Sequence, residues 1–395
     1  MNNQIGMTYS MRWFGPKDPV NLLHIKQAGC TAVVTALHQI PAGEVWSVEA
    51  IMERKQMIVA EGLSWEVVES LPVHEDIKKK TGQYASYIEN YIQSLKNLAA
   101  CGIKVVAYNF MPLFDWMRTD VNYRLSDGTI ALYYERSAFI AFDVWMLQRP
   151  GAANDYTDEE LAAARKKYNG FTDIQKQTLF KNVLLSLPGT DNSFTAEGVL
   201  AALETYAAID EATLRVHLFY FLQQIIPEAE ACGIKMAIHP DDPPFSILGL
   251  PRIVKTEADA TAIVNAVPSE ANGLCFCTGS YGVRADNDLP GMVKRLAKHI
   301  HFLHLRSTQR DDAGNFYEAN HLTGDVDMYA VIKEALEHMQ QNNISIPMRP
   351  DHGHLMLDDM NKTFYPGYSL IGRLKSMAEL RGLETGIKRI LRDNN

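Results

Sequence analysis

Eight short apolar runs, separated by stretches long enough to hold helices, constrain this chain more than any other feature. They are "MRWFG" (11–15), "TAVVTAL" (31–37), "SWEVVES" (64–70), "KVVAYNF" (104–110), "KMAIHP" (235–240), "LCFCTG" (274–279), "HFLHLRS" (301–307) and "SIPMRPDH" (345–352). Continuous runs of this kind suit parallel strands whose two faces are both covered. "QAGC", "AACGIK" and "EACGIK" precede three of them, placing Gly29, Gly102 and Gly233 where a helix closes on a left-handed residue before a buried strand. Eight such units predict an α/β chain folded as a (β/α)8 TIM barrel, with its chemistry at the C-terminal strand ends. An open doubly wound sheet is disfavoured, because no G-x-G-x-x-G opens a helix and no G-x-x-x-x-G-K-[ST] occurs.

The fourth run ends at residue 110 and the fifth begins at 235, too far apart for one crossover. "TDEELAAARKKYNGF", "DIQKQTLFKNVLLSLPG" and "TAEGVLAALETYAAIDEATLRVHLFYFLQQIIPEA" have helical apolar spacing, and Thr157 with Glu160 fits a capping box. Residues 118–212 therefore read as a helical insertion over or beside the barrel mouth, within a single catalytic domain spanning 1–395.

A net charge of −9 and a pI near 5.8 argue against a nucleic-acid partner. "MNNQIGMTYSMRWFG" has no basic segment leading into an apolar run, and no stretch is long enough for a membrane helix, so a cytoplasmic location without membrane contact is expected. Cys30, Cys101, Cys232, Cys275 and Cys277 are too few and scattered for a disulfide framework and read as free thiols.

On this strand reading His239 ends the fifth run, Cys277 the sixth and Asp351 the eighth, with His304 near the end of the seventh. Four consecutive strands then bring two imidazoles, a thiolate and a carboxylate to one rim, a donor set for a divalent metal. Imidazole and carboxylate suit manganese or iron and thiolate favours zinc, so the donors leave the ion open. His352, next to a ligand, emerges at the same rim as a candidate proton-transfer group. His354 reads as a partner of that site or a solvated loop residue. His301 faces the opposite side of its strand from His304 and reads as packed. Arg306, Arg284, Arg349, Asn109, His38 and His74 are further rim candidates; arginine grips a carboxylate with two prongs, and each is equally suited to an ion pair, Arg284 with Asp286 or Asp288. In "YPGY", Tyr365 or Tyr368 offers a hydroxyl.

The segments "RWFGPKDPV", "GCTAVVTALHQIPAGEVWS", "ESLPVHEDIK", "YNFMPLFDW", "HPDDPP", "GLPRIV", "CTGSYGVRADND", "HLRST", "GDVDMY" and "RPDHGH…YPGYS" resemble the mannonate dehydratase family in order along nearly the whole chain. The resemblance implies a xylose-isomerase-like barrel that dehydrates D-mannonate to 2-keto-3-deoxy-D-gluconate in hexuronate catabolism. It implies a divalent metal, manganese before iron, on His239, Cys277, His304 and Asp351, and acid-base roles for His352 and the "PGY" tyrosine, assigned to Tyr368. In that reaction Arg306 and Arg284 would neutralise charge, while Arg349, His38, His74 and Asn109 line up as substrate contacts. A sugar acid is the expected partner, and a homo-oligomer, taken as a dimer, the expected assembly. The rivals are a metal-dependent sugar isomerase or epimerase, a metal-dependent phosphodiesterase, disfavoured by the acidic charge, and a non-catalytic sugar-acid-binding protein.

Overall fold

The computed structural model describes residues 5–185 and 195–393; part of the insertion read as helical, residues 186–194, lies outside the described residues. Twelve strands occur among them: β1 (Thr8–Arg12), β2 (Ala32–Thr35), β3 (Ser64–Glu69), β4 (Val105–Tyr108), β5 (Asp120–Arg124), β6 (Ile130–Tyr134), β7 (Lys235–Ile238), β8 (Asn272–Cys277), β9 (Ile300–Leu305), β10 (Ser307–Arg310), β11 (Phe316–Ala319) and β12 (Pro347–Pro350). Eight of them, β1, β2, β3, β4, β7, β8, β9 and β12, close into a parallel barrel in that order, one from each apolar run. The first strand starts earlier than its run because Ser10 is satisfied inside the sheet, its hydroxyl donating to the Met348 carbonyl at 2.6 Å.

Helices flank the strands and bury their apolar faces in one continuous layer, with Ile25, Ile51, Leu95, Phe221, Ile263, Val293 and Leu336 among its members. The helix Glu211–Cys232 ends on Gly233 at φ +71°, so the glycine before β7 does take the left-handed turn its sequence context implies. Inside the barrel a smaller cluster of Val34, Val67, Val105, Ala107, Ala237, Cys275 and Phe302 fills the axis. Side chains alternate along a strand, so the next inward positions toward the C-terminal ends are Glu69, Asn109, His239, Cys277 and His304. A plug of small and branched residues thus gives way to a ring of polar ones at the mouth.

The stretch between β4 and β7 does not open on a helix. Residues 120–134 form the hairpin β5–β6, which pairs antiparallel with β11, and β11 with β10, into a four-stranded sheet. The cause is local: "NYRLSDGTIALYY" carries β-formers on either side of Asp127–Gly128, with Gly128 at φ +86°. Helices Arg136–Ala141, Asp158–Gly170, Asp173–Val183 and Ala196–Glu204 follow, and both arms of the Thr157–Glu160 capping box are present. Phe114, Tyr134, Phe139, Phe142, Leu179, Val199, Leu203 and Phe316 give this part its own core. Leu355 bridges to Ile130, tying the hairpin to the loop that follows β12. Among the described residues no helix is long and apolar enough to cross a membrane.

Candidate active site

His239, Cys277, His304 and Asp351 stand at the ends of β7, β8, β9 and β12, with one potential ligand atom from each within 4.8 Å of all the others. The strand register makes this unavoidable, because Cys277 pairs with His304 and Pro350 with Leu305 across adjacent strands. Nδ1 of His239 lies 2.6 Å from the Pro240 carbonyl, which can only accept, so Nδ1 carries the proton and Nε2 is free as a ligand. That Nε2 sits 3.1 Å from Nδ1 of His304, a spacing suited to two nitrogens on a common ion. On its far side, His304 Nε2 lies 3.5 Å from Glu69 Oε1, so a carboxylate faces the ring nitrogen turned away from His239. Burial pushes the His239 pKa down against the pull of Asp351 and Glu69, which favours the neutral, ligating form.

The thiol and carboxylate are equally prepared. Cys277 Sγ receives the Ser280 amide at 3.4 Å and the Ser280 hydroxyl at 3.3 Å, and lies 3.6 Å from Asp351 Oδ2. Burial alone would raise the Asp351 pKa, but Arg349, His352 and Arg306 outweigh it and hold the carboxyl well below its usual range. Arg349 NH1 donates to Asp351 Oδ1 at 2.5 Å, and Arg306 Nε approaches Oδ2 at 3.0 Å. These donors fit a divalent cation: all are anionic or neutral when bound, and three of the four are buried.

Around this set runs a buried ionic lattice. Arg349 forks onto Glu69 through Nε (2.8 Å) and NH2 (2.7 Å), and Arg12 approaches the same carboxylate at 3.3 Å. Glu69 is accordingly held well below the usual carboxylate range, burial notwithstanding, by Arg349, His304 and Arg12. Asp242 accepts from Arg118 and Arg306, and Glu318 accepts from the same two guanidiniums at 2.7 and 2.5 Å. Their pKa values are driven down by those arginines against burial, Glu318 to about 2.

A cleft of about 490 Å³, open to solvent, has two of the four candidate ligands, His239 and Asp351, on its walls. Arg12, Glu69, Asn109, Asp115, Trp116, His239, Asp242, Arg349, Asp351, His352 and Tyr368 are among the residues on its walls. The rings of His352 and Tyr368 meet edge to face at 5.3 Å, with Phe14 edge-on to the tyrosine at 4.8 Å. Burial raises the Tyr368 pKa against Arg12 and Arg349, which favours the protonated phenol.

Other candidates fall elsewhere. Arg306 is 1% exposed and committed to Asp242, Glu318 and Asp351. His38 is half-buried against Phe14, its pKa pushed down to about 3 by desolvation, and does not line the cleft. His74 caps the helix Glu75–Lys79 by accepting from the Asp76 amide and stacks on Tyr87. Arg284 forks onto Asp286 outside the cleft. Tyr365 is half-buried against Phe14 and lines a neighbouring cavity rather than the cleft. His301 is buried, with its pKa pushed down to about 3, and His354 Nε2 lies 2.8 Å from the Glu318 carbonyl. Glu69, Asp115, Asp242, Glu318 and Arg118 were not singled out from the sequence; the Asp241–Asp242 pair in "HPDDPP", directly after a candidate ligand, was a signal for Asp242.

Barrel enzymes that work with a divalent metal hold it in this manner, and fold and site place the protein in that class. Comparison with known proteins narrows the class. The family model described as D-mannonate dehydratase (UxuA) matches residues 7–394. The chain is 53% identical to a mannonate dehydratase of Marinomonas sp. (strain MWYL1) over 391 residues, covering 98% of this chain and all of that one. It is 50% identical to a mannonate dehydratase of Chromohalobacter salexigens over 389 residues, 97% of this chain and again all of the other. The crystal structure of mannonate dehydratase from Streptococcus suis serotype 2 superposes with a TM-score of 0.78 at 35% identity, covering 98% of this chain and 95% of that one. The chain belongs to the mannonate dehydratase family. A D-psicose 3-epimerase from Clostridium cellulolyticum H10, 11% identical with a TM-score of 0.51, shares the fold.

Proposed function

We propose that this protein is a hydro-lyase that dehydrates D-mannonate to 2-keto-3-deoxy-D-gluconate, removing the C2 proton and expelling the C3 hydroxyl. Membership of the family supports the reaction, and the observation that carries the mechanism is the cleft itself: an imidazole and a phenol 5.3 Å apart, beside four convergent metal donors. His239, Cys277, His304 and Asp351 hold the cation, with Mn2+ assigned first and Fe2+ second on the two imidazoles and the carboxylate. When bound, it supplies Lewis-acid stabilisation of the charge that gathers on the substrate carboxylate as C2 loses its proton.

The chain's own residues do the rest. The C2 proton is poorly acidic because the adjacent carboxylate is already negative, so the base must be held in place and freed of competing water. His352, buried on the wall of the cleft next to Asp351, takes that proton. Tyr368, whose phenol burial keeps protonated, delivers a proton to the leaving C3 oxygen. Arg349 and Arg12 offset the carboxylates of Glu69 and Asp351 that the substrate carboxylate would otherwise meet, while Asn109 offers an amide to the sugar hydroxyls. The five cysteines lie in no disulfide, which supports a reducing compartment, and this reading takes the cytoplasm as the location of the reaction.

The test is turnover of D-mannonate by purified protein and by His352→Ala and Tyr368→Phe. The reading requires both variants to fold, keep their metal and lose turnover. Unchanged turnover in either would remove that residue from the mechanism.

A further inference from the structure

Resting on His352 as the base, we propose that Glu318 is the positioning residue that fixes its imidazole for proton transfer. Glu318 sits on β11, in the four-stranded sheet rather than the barrel, yet its Oε1 reaches to 3.2 Å from His352 Nδ1. Three groups lie against this carboxylate: Arg118 NH2 at 2.7 Å, Arg306 NH1 at 2.5 Å and the imidazole. Arg306 NH1 also lies 3.0 Å from His352 Nδ1, but a guanidinium can only donate. Of the two, only Glu318 can accept a proton held on Nδ1.

The consequence is a choice of tautomer. With Nδ1–H directed at Glu318, the lone pair belongs to Nε2, the nitrogen 3.8 Å from Asp351 Oδ1 beside the cleft. A carboxylate behind an imidazole in this way orients the ring and fixes its tautomer.

Two further features show that the placement is built. Glu318 is 2% exposed, and its second oxygen, Oε2, is buried without a hydrogen-bond partner among the described residues, so the carboxylate is not spread evenly over the arginines. Its backbone is pinned by His354, whose Nε2 lies 2.8 Å from the Glu318 carbonyl while Nδ1 lies 3.4 Å from Thr129 Oγ1. The crowding in "DHGH" then has three separate parts: Asp351 as a ligand, His352 as the base, and His354 holding the strand that carries the base's partner.

The experiment uses the full metal-loaded protein with Glu318→Gln and Glu318→Asp. Gln removes the acceptor's charge; Asp keeps a negative charge for Arg118 and Arg306 but withdraws it from His352 by one methylene. Both are expected to lower kcat for D-mannonate by roughly 10- to 100-fold, with KM and metal stoichiometry within about threefold of wild type. A purely structural ion-pair partner would instead lower thermal stability or metal content and leave kcat of the folded fraction intact. The proposal is overturned if either folded variant keeps kcat within about threefold of wild type, or if its loss lies in KM. Should the Gln variant not fold, the Asp variant decides alone. His352→Ala is run beside them: if it too is active, the assignment of the base has failed, whereas an inactive His352→Ala with active Glu318 variants overturns Glu318 alone.

Discussion

Arg349→Met tests whether the ionic lattice beneath the cleft is as tightly coupled as its geometry indicates. The substitution keeps a long apolar stem and removes the guanidinium that makes two hydrogen bonds to Glu69 and one to Asp351. Asp351 retains Arg306, but Glu69 is left with Arg12 at 3.3 Å and His304 at 3.5 Å. Removing one partner of a buried pair costs about 3–5 kcal/mol, because the other charge stays behind without compensation. Scaled to a chain of 395 residues at about 2 cal/mol/K of unfolding entropy each, this lowers the melting temperature by about 4–6 °C. The loss should also depend on pH. In the native protein Glu69 has a depressed pKa, so its contribution is present above the unfolded value and lost as pH falls. In the variant burial dominates and Glu69 gains a proton on folding, so the gap between the two proteins narrows from pH 7 toward pH 5. Calorimetry in excess chelator, which removes metal linkage, reads both effects. Adding Glu69→Gln should recover part of the deficit, since it removes the stranded charge. A melting point within about 1 °C of wild type, or two losses that simply add, would refute the coupling.

Other consequences are equally direct. Cys277→Ser replaces the thiolate with a hydroxyl that stays protonated and should weaken metal retention by at least about tenfold, read as metal content after dialysis against graded chelator. His301 and His321 are buried in neutral form, with pKa values pushed down by burial to about 3 and about 4. Each binds its proton more readily when unfolded, so stability falls as pH drops below about 6.5, by about 2 kcal/mol apiece at pH 5. Urea midpoints at pH 7 and 5 measure the fall, and a flat profile contradicts it. Gly367→Ala forces an alanine to φ +82° and puts its Cβ 2.9 Å from the His352 ring, so kcat should drop with metal content unchanged and about 1–3 kcal/mol of stability lost.

The barrel was legible because parallel strands covered on both faces leave unbroken apolar runs, and because strand periodicity then dictates which terminal residues share a rim. That logic isolated His239, Cys277, His304 and Asp351, which the fold brings within 4.8 Å. It could not distinguish a rim residue that faces the cleft from one that caps or pairs nearby, so His74, on a helix N-terminus, and Arg284, forked onto Asp286, looked like Asn109 or Arg349. The hairpin at 120–134 was hidden by the helical composition around it, although Asp127–Gly128 between β-formers marks the turn. Glu69, Arg118, Asp242 and Glu318 were out of reach for a different reason. Their partners lie far away in the chain, 280 positions for Glu69 and Arg349 and 200 for Arg118 and Glu318, and only closure of the barrel and its side sheet brings them together.

The most direct test of the account is reconstitution. The purified protein is stripped with chelator, manganese is added back in steps, and keto-acid formation from D-mannonate is followed with a carbonyl-trapping reagent alongside metal content. The account predicts no product from stripped protein and product that rises in proportion to bound metal, saturating at one ion per chain. Turnover by metal-free protein, or a protein that binds no metal when His239, Cys277, His304 and Asp351 are all intact, would contradict it.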